Sequence, residues 1–212
     1  MFRLLFCTFF LLPPLLAEEV EAHYQLIAPK DMEDEIVKRV EEWMKQNLHY
    51  DVRVQRKESW KPGTGDNLIK ALLPETEKDV IVTVILSPSL DPLEQHAFVD
   101  PERRVGVIHV GGLVPAIEEK TLRRLDRQAM RIVGFALGIP PQPIPFCCLF
   151  PYRSLEELDA IGRGFSPPAQ ALYRKQLVKH GIPLSKDAKQ RLPDVKNIKI
   201  PKTPPPVKAP SE

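Results

Sequence analysis

Two adjacent thiols, Cys147 and Cys148, five histidines and the carboxylates Glu156, Glu157 and Asp159 are the side chains of this chain that lend themselves to chemistry. A cysteine nucleophile needs a positioned imidazole and an electropositive surround. A metal needs several ligands at helical or loop spacing. His23, His49, His96, His109 and His180 show no ligand spacing, and only tertiary structure could bring His96 or His109 to the thiols. Neighbouring cysteines rarely bridge each other because the ring is strained. Buried thiols, an intermolecular link and the remains of a metal knuckle stay open as readings, and burial is the ordinary state of a free Cys. Ser154 lies in no nucleophile elbow, and Glu156, Glu157 and Asp159 read as the first turn of a solvated helix.

The run from Arg131 to Pro141 carries a different kind of signal. A hydrolytic zinc helix places two ligands one turn apart, a general base beside the first, a Gly that lets the chain turn, and a third ligand beyond it. In that spacing the Gly is Gly138, the ligand positions are Arg131, Phe135 and Pro141, and the base position is Ile132. A guanidinium cannot bind zinc, Phe has no lone pair, and Pro offers no side-chain donor. At about 100° per residue, Leu122, Leu125, Ala129, Ile132, Val133 and Ala136 form one core face. Arg131 and Phe135 lie on the other side with Arg124, Arg127 and Gln128, which predicts that they face an open cleft.

The elements that must position this helix follow from periodicity. Residues 24–28 and 51–55 read as strands, and Asp31 as the N-cap of a helix reaching Asn47, with Ile36, Val40, Trp43, Met44 and Leu48 as its buried stripe. Residues 67–73 predict a short helix. The nearly unbroken apolar run at 79–86 predicts a strand covered on both faces. Residues 104–110 predict a further strand, broken by Gly111-Gly112, and residues 118–139 the long helix, ended by Pro140-Pro141. Ser154 caps a helical turn, and residues 167–180 form a last helix. The order β-α-β-α-β-β-α predicts an α/β (α+β) fold: a mixed, mostly parallel sheet with an antiparallel edge strand, packed on helices, followed by an irregular C-terminal subdomain.

The two ends differ from this middle. Arg3, the apolar stretch 4–16 and Ala17 before Glu18-Glu19 read as a secretory signal over residues 1–17, too short to span a bilayer comfortably, so no stable span remains after cleavage. Residues 18–182 form a single domain, and from Pro183 to Glu212 Lys and Pro dominate, as in a flexible tail. The net charge of +2 on 212 residues implies no nucleic-acid partner.

From about residue 24 to 177 the chain resembles the archaemetzincins, single-domain zinc peptidases. The resemblance rests on the Gly134-Phe135-Ala136-Leu137-Gly138 core of the helix and on the stretch Ser154-Leu155-Glu156-Glu157-Leu158-Asp159, similar to the family's Ser-Leu-x-Glu-x-Asp. Cys147-Cys148-Leu149 stands where the family has Cys-x-Met, and Phe165-Ser166-Pro167-Pro168-Ala169 looks like a Phe-Cys-Pro-x-Cys element with both Cys replaced. The run from Glu94 to Pro101 and the strand after it look like the segment and edge strand that precede the family's active-site helix. The resemblance implies a zincin-like fold and, in the family, a catalytic zinc and a second zinc held mainly by Cys. At the second site this chain keeps Cys147, with Gln142, Ser166 and Ala169 at the other positions. The expectation is therefore a secreted or periplasmic protein without cofactor and without peptidase chemistry. Its candidate cleft is Arg131, Ile132, Phe135 and Pro141, and an extended peptide or protein would add to the edge strand carrying Val105, Val107 and His109. Two rivals are a hydrolase with a relocated site and a carrier domain for a surface-binding basic tail.

Overall fold

The computed structural model describes residues 21–61, 63–73, 79–89 and 96–193; the expected signal segment, the pair Glu94-Gln95 and the tail beyond residue 193 lie outside the described residues. Five strands form one sheet: β1 (His23–Pro29), β2 (Asp51–Lys57), β3 (Val80–Ser87), β4 (Ala97–Asp100) and β5 (Val105–His109). Their order is β2-β1-β3-β5-β4, parallel throughout except for β4, which pairs antiparallel with β5. The helices are α1 (Asp34–Leu48), α2 (Gly65–Leu72), α3 (Val110–Leu113), α4 (Glu119–Ala136), α5 (Leu155–Ala160), α6 (Pro167–Lys179) and α7 (Lys186–Arg191). Among the described residues no helix is long and apolar enough to cross a membrane.

The expected fold class is the one observed, and the pleat explains its layers. Every residue of β3 is buried, as the apolar run requires of a central parallel strand. Tyr24, Leu26, Val82, Val84 and Ile108 point into the main core with α1 and α4, whereas Ile27, Ile85, Val105 and Val107 join Leu68 and Ile69 of α2 on the other face. The sheet is thus sandwiched between α1 and α4 on one side and α2 on the other. Gly106 is the point of closest approach between sheet and α4. A Cβ added there would lie 2.5 Å from Ile132 Cγ2 and 3.0 Å from the Phe98 carbonyl.

Several expectations change. The strand carrying Val105, Val107 and His109 is not an edge: β5 lies between β3 and β4, and all five of its residues are buried. The edge on that side is β4, whose four half-buried residues carry too short a pattern to reveal this; β2 is the edge on the other side. Gly111-Gly112 does not break into a loop but sits within the short α3. Helix α1 starts after Glu33 rather than Asp31, whose carboxylate instead accepts from Ser59 Oγ at 2.5 Å. The chain after Pro183 forms α7, tied back by Ser185 Oγ donating to His49 O at 2.7 Å and Tyr50 Oη donating to Pro183 O at 2.9 Å.

One buried carboxylate binds three parts of this architecture. The side chain of Asp126 on α4 is wholly inaccessible and receives Arg39 of α1 through Nε and Nη2, both at 2.8 Å. It also receives Arg163, on the loop before α6, at 3.0 and 2.7 Å, and that guanidinium lies 4.0 Å over the Trp43 ring. Replacing Asp126 by Asn should cost about 3–5 kcal/mol, because two partly buried cations lose their counter-charge. Urea denaturation measures this, and a change below about 1 kcal/mol would contradict the assignment. The Gly106→Ala variant should lose about 1–3 kcal/mol by overpacking against Ile132, read in the same experiment.

Candidate functional site

Helix α4 starts and stops where its sequence directs. The Glu118 N–H donates to Thr121 Oγ1 at 3.3 Å, and the Thr121 hydroxyl donates to Ala116 O at 2.6 Å, fixing the first turn. At the other end Gly138 adopts φ +76°, a left-handed conformation that a side chain would strain. The Ile139 N–H then reaches Gly134 O and the Gly138 N–H reaches Phe135 O, both at 2.9 Å, which is a Schellman closure. Gly138 therefore makes the turn that the motif reading assigned to it. The bend carries the chain to Pro141, which is exposed, and to Gln142, which is buried.

The expected open face of α4 is covered. Arg124, Arg127 and Gln128 are buried along it, and Arg131 and Phe135 are half-buried. The cover is the irregular chain after Pro141, whose proline-rich course leaves carbonyls without N–H partners, and the arginines satisfy them. Arg124 donates to Leu113 O at 3.1 Å and holds Asp159 bidentately at 2.9 and 2.7 Å, which keeps the Asp159 carboxyl below its usual range. Arg127 donates to Ile161 O at 3.0 Å and Asp159 O at 2.8 Å. Arg131 Nη1 donates to Cys148 O at 2.6 Å and to Phe150 O at 2.7 Å. Its guanidinium carbon lies 5.1 Å from the Phe135 ring centre and 4.7 Å from that of Tyr152. Burial pushes the Arg131 pKa down, with Tyr152, Cys148 and Cys147 opposing that shift.

Around this guanidinium the structure assembles groups that no spacing rule could have found. Gln128 Nε2 donates to Tyr152 Oη at 2.5 Å, so the tyrosine hydroxyl can direct its own hydrogen to His96 Nδ1, 3.3 Å away. Burial, and then Arg124, lower the His96 pKa, which favours the neutral ring that this bond needs. Burial raises the Tyr152 pKa, against the pull of Gln128 and Arg131. The sequence signal was present but unspecific: donors at 124, 127, 128 and 131 form one helical row opposite a segment rich in Pro.

The residues present do not fit a zinc ion. Arg131, at the first position of the zinc-helix spacing, is a cation already bound to two carbonyls, and the Phe135 ring lies 5.1 Å from its guanidinium carbon. Ile132, at the base position, is fully buried against Gly106. At the second site Gln142, Cys147, Ser166 and Ala169 are all buried, and one thiolate cannot hold a tetrahedral zinc alone. Among the described residues no group of three or more His, Cys, Asp or Glu side chains is placed to hold a metal. Leu149 takes the apolar place beneath the helix, 2.7 Å from a Cβ built on Gly134.

Cys147 and Cys148 are both free and buried. The Ser166 N–H, at the start of α6, donates to Cys147 Sγ at 3.4 Å. The Cys147 pKa is lowered to about 6, first by its hydrogen bond with Cys148 and further by Ser166, while burial drives the Cys148 pKa up. His96 directs its Nδ1 to Tyr152 rather than to either thiol. A nucleophile–base pair of Cys and His96 is not what this geometry forms.

No protein-family model matches the chain, and no curated protein does. Solved structures do match. The archaemetzincin of Methanopyrus kandleri superposes with a TM-score of 0.64 at 19% identity, over 77% of this chain and 99% of that one. A zinc-dependent peptidase of Methanocorpusculum labreanum gives 0.56 at 15%, over 73% and 99%. The archaemetzincin of Archaeoglobus fulgidus, solved with malonate, gives 0.57 at 14%, over 72% and 99%. At these identities the likeness is one of architecture: the chain has the fold of the archaemetzincin zinc peptidases.

Proposed function

We propose that this protein is a secreted, non-catalytic relative of the archaemetzincins that binds an extended polypeptide. The observation that carries the reading is the seating of Arg131. At the first position of the zinc-helix spacing, a guanidinium is fixed to Cys148 O and Phe150 O and lies against the Phe135 and Tyr152 rings. A metal there would meet a positive charge instead of a lone pair. The neighbouring Ile132 supplies no base.

Polypeptide binding fits β4, one of the two edge strands of the sheet. His109 N–H donates to His96 O at 3.0 Å, and hydrogen-bonded pairs recur every second residue of an antiparallel ladder. With Phe98 opposite Val107 and Asp100 opposite Val105, the N–H and C=O groups of Ala97 and Val99 point away from β5. They are the groups to which an added strand would bond. The N-terminal segment 1–17 supports export by its charge, apolar run and Ala17.

Exposure of the purified protein to zinc followed by metal analysis should give well below one zinc per chain, with no chelator-sensitive peptide hydrolysis. Stoichiometric zinc together with hydrolysis would overturn the reading. Val99→Pro removes an outward N–H at an edge position that tolerates Pro, so it should weaken retention of extended peptides roughly tenfold at nearly unchanged thermal stability. Unaltered retention would rule out pairing at β4. Exported material should begin near Glu18, and N-terminal sequencing that finds residues 1–17 retained would rule out cleavage.

A further inference from the structure

Arg131 differs from Arg39, Arg124, Arg127 and Arg163 in one respect. Arg39 and Arg163 face Asp126, and Arg124 faces Asp159. Arg127, bound to carbonyls, still feels both of those carboxylates. The groups that oppose the burial of Arg131 are Tyr152, Cys148 and Cys147, with no Asp or Glu among them. Its charge is thus withdrawn from water with no carboxylate beside it, and carbonyl oxygens, ring faces and the Cys147 thiol, its pKa lowered to about 6, compensate it only in part.

The bonding of the guanidinium is also one-sided. Nη1 makes both carbonyl contacts, while Nε and Nη2 have no hydrogen bond among the described residues. Neither atom is among the buried unpartnered polar atoms, so both remain in contact with solvent. Nη1 is anchored, the Phe135 and Tyr152 rings pack near the guanidinium, and Nε and Nη2 form the edge with two parallel N–H groups left over. That fork matches the two oxygens of a carboxylate. Its planar orientation is set before any ligand arrives, so little entropy is lost on binding.

We infer that Arg131 is a carboxylate-binding site, held ready by Cys148 O, Phe150 O, Phe135 and Tyr152 for the acidic side chain or terminal carboxylate of a bound polypeptide. The inference deepens the non-catalytic polypeptide-binding reading and rests on it for the source of the carboxylate. Tyr152 lies against the guanidinium and His96 is hydrogen-bonded to Tyr152, and neither carries a negative charge that would compete near neutral pH.

The test is an arginine Nε–Hε NMR titration of the isotope-labelled protein at pH 6, with sodium acetate against sodium chloride at equal ionic strength. One side-chain signal should shift saturably with acetate and not with chloride. That signal should be missing from the Arg131→Lys variant, which keeps the charge but loses the fork. Two peptides distinguish the sources: one with an internal Glu and an amidated end, the other with Ala in its place and a free C-terminus. The peptide that shifts the Arg131 signal identifies its carboxylate, and Arg131→Lys should bind it at least about tenfold more weakly. An acetate response that fails to saturate, or one that persists unchanged in Arg131→Lys, would overturn the inference. Should that variant prove unstable, Arg131→Gln, which keeps an amide donor for the two carbonyls but loses the fork, makes the same assignment. Failure here leaves the non-catalytic reading standing, because zinc content and hydrolysis test that separately.

Discussion

Helix α4 carries charge into the middle of the molecule, and each of those charges has to be matched where it lies. Asp126 has no contact with water and is held by Arg39 and Arg163. Arg124, Arg127 and Arg131 on the same helix are stripped of much of their water and turn to carbonyls and to Asp159. These bonds fix where α1, α4 and the C-terminal segment sit relative to one another. Hydrophobic burial brings the layers together without choosing an orientation, whereas a fork of N–H donors accepts only one. Gly106 and Ile132 supply the complementary steric limit, setting how closely α4 approaches the sheet.

The same bonds determine what the site can be. In a zinc hydrolase, the cleft above the helix stays open so that metal, water and substrate can meet. Here the row of donors holds the proline-rich segment on the helix, and the Arg131 guanidinium is fixed to its carbonyls. The thiols that might have offered another chemistry are buried in the same fold of chain, with Cys147 set against the start of α6. The molecule therefore combines a peptidase architecture with a site built of cations, carbonyls and rings.

Much of the fold was legible because it is written in local periodicity. The unbroken apolar run of β3, the stripe of α1, the Ser154 cap and the Gly138 turn each follow from a few neighbouring residues. The edge strand was misread because β4 has only four residues and a weak pattern, while β5 carries the stronger one. The helical wheel of α4 correctly separated an apolar from a polar face. It could not show that the polar face would be covered, since an arginine that bonds distant carbonyls has the same spacing as one that faces water.

The sequence by itself set the expectation that Arg131, Ile132, Phe135 and Pro141 stand at the positions of a zinc-helix spacing, with side chains that offer a metal no ligand. That conclusion depends on the bonding capacity of each side chain alone. Only the tertiary structure decided that Arg131 is clamped by Cys148 O and Phe150 O, that Tyr152 lies against it with His96 bonded to Tyr152, and that Ala97 and Val99 face outward on an edge strand. Those facts join residues far apart along the chain, and their contacts arise from the folding of the whole domain rather than from any local rule.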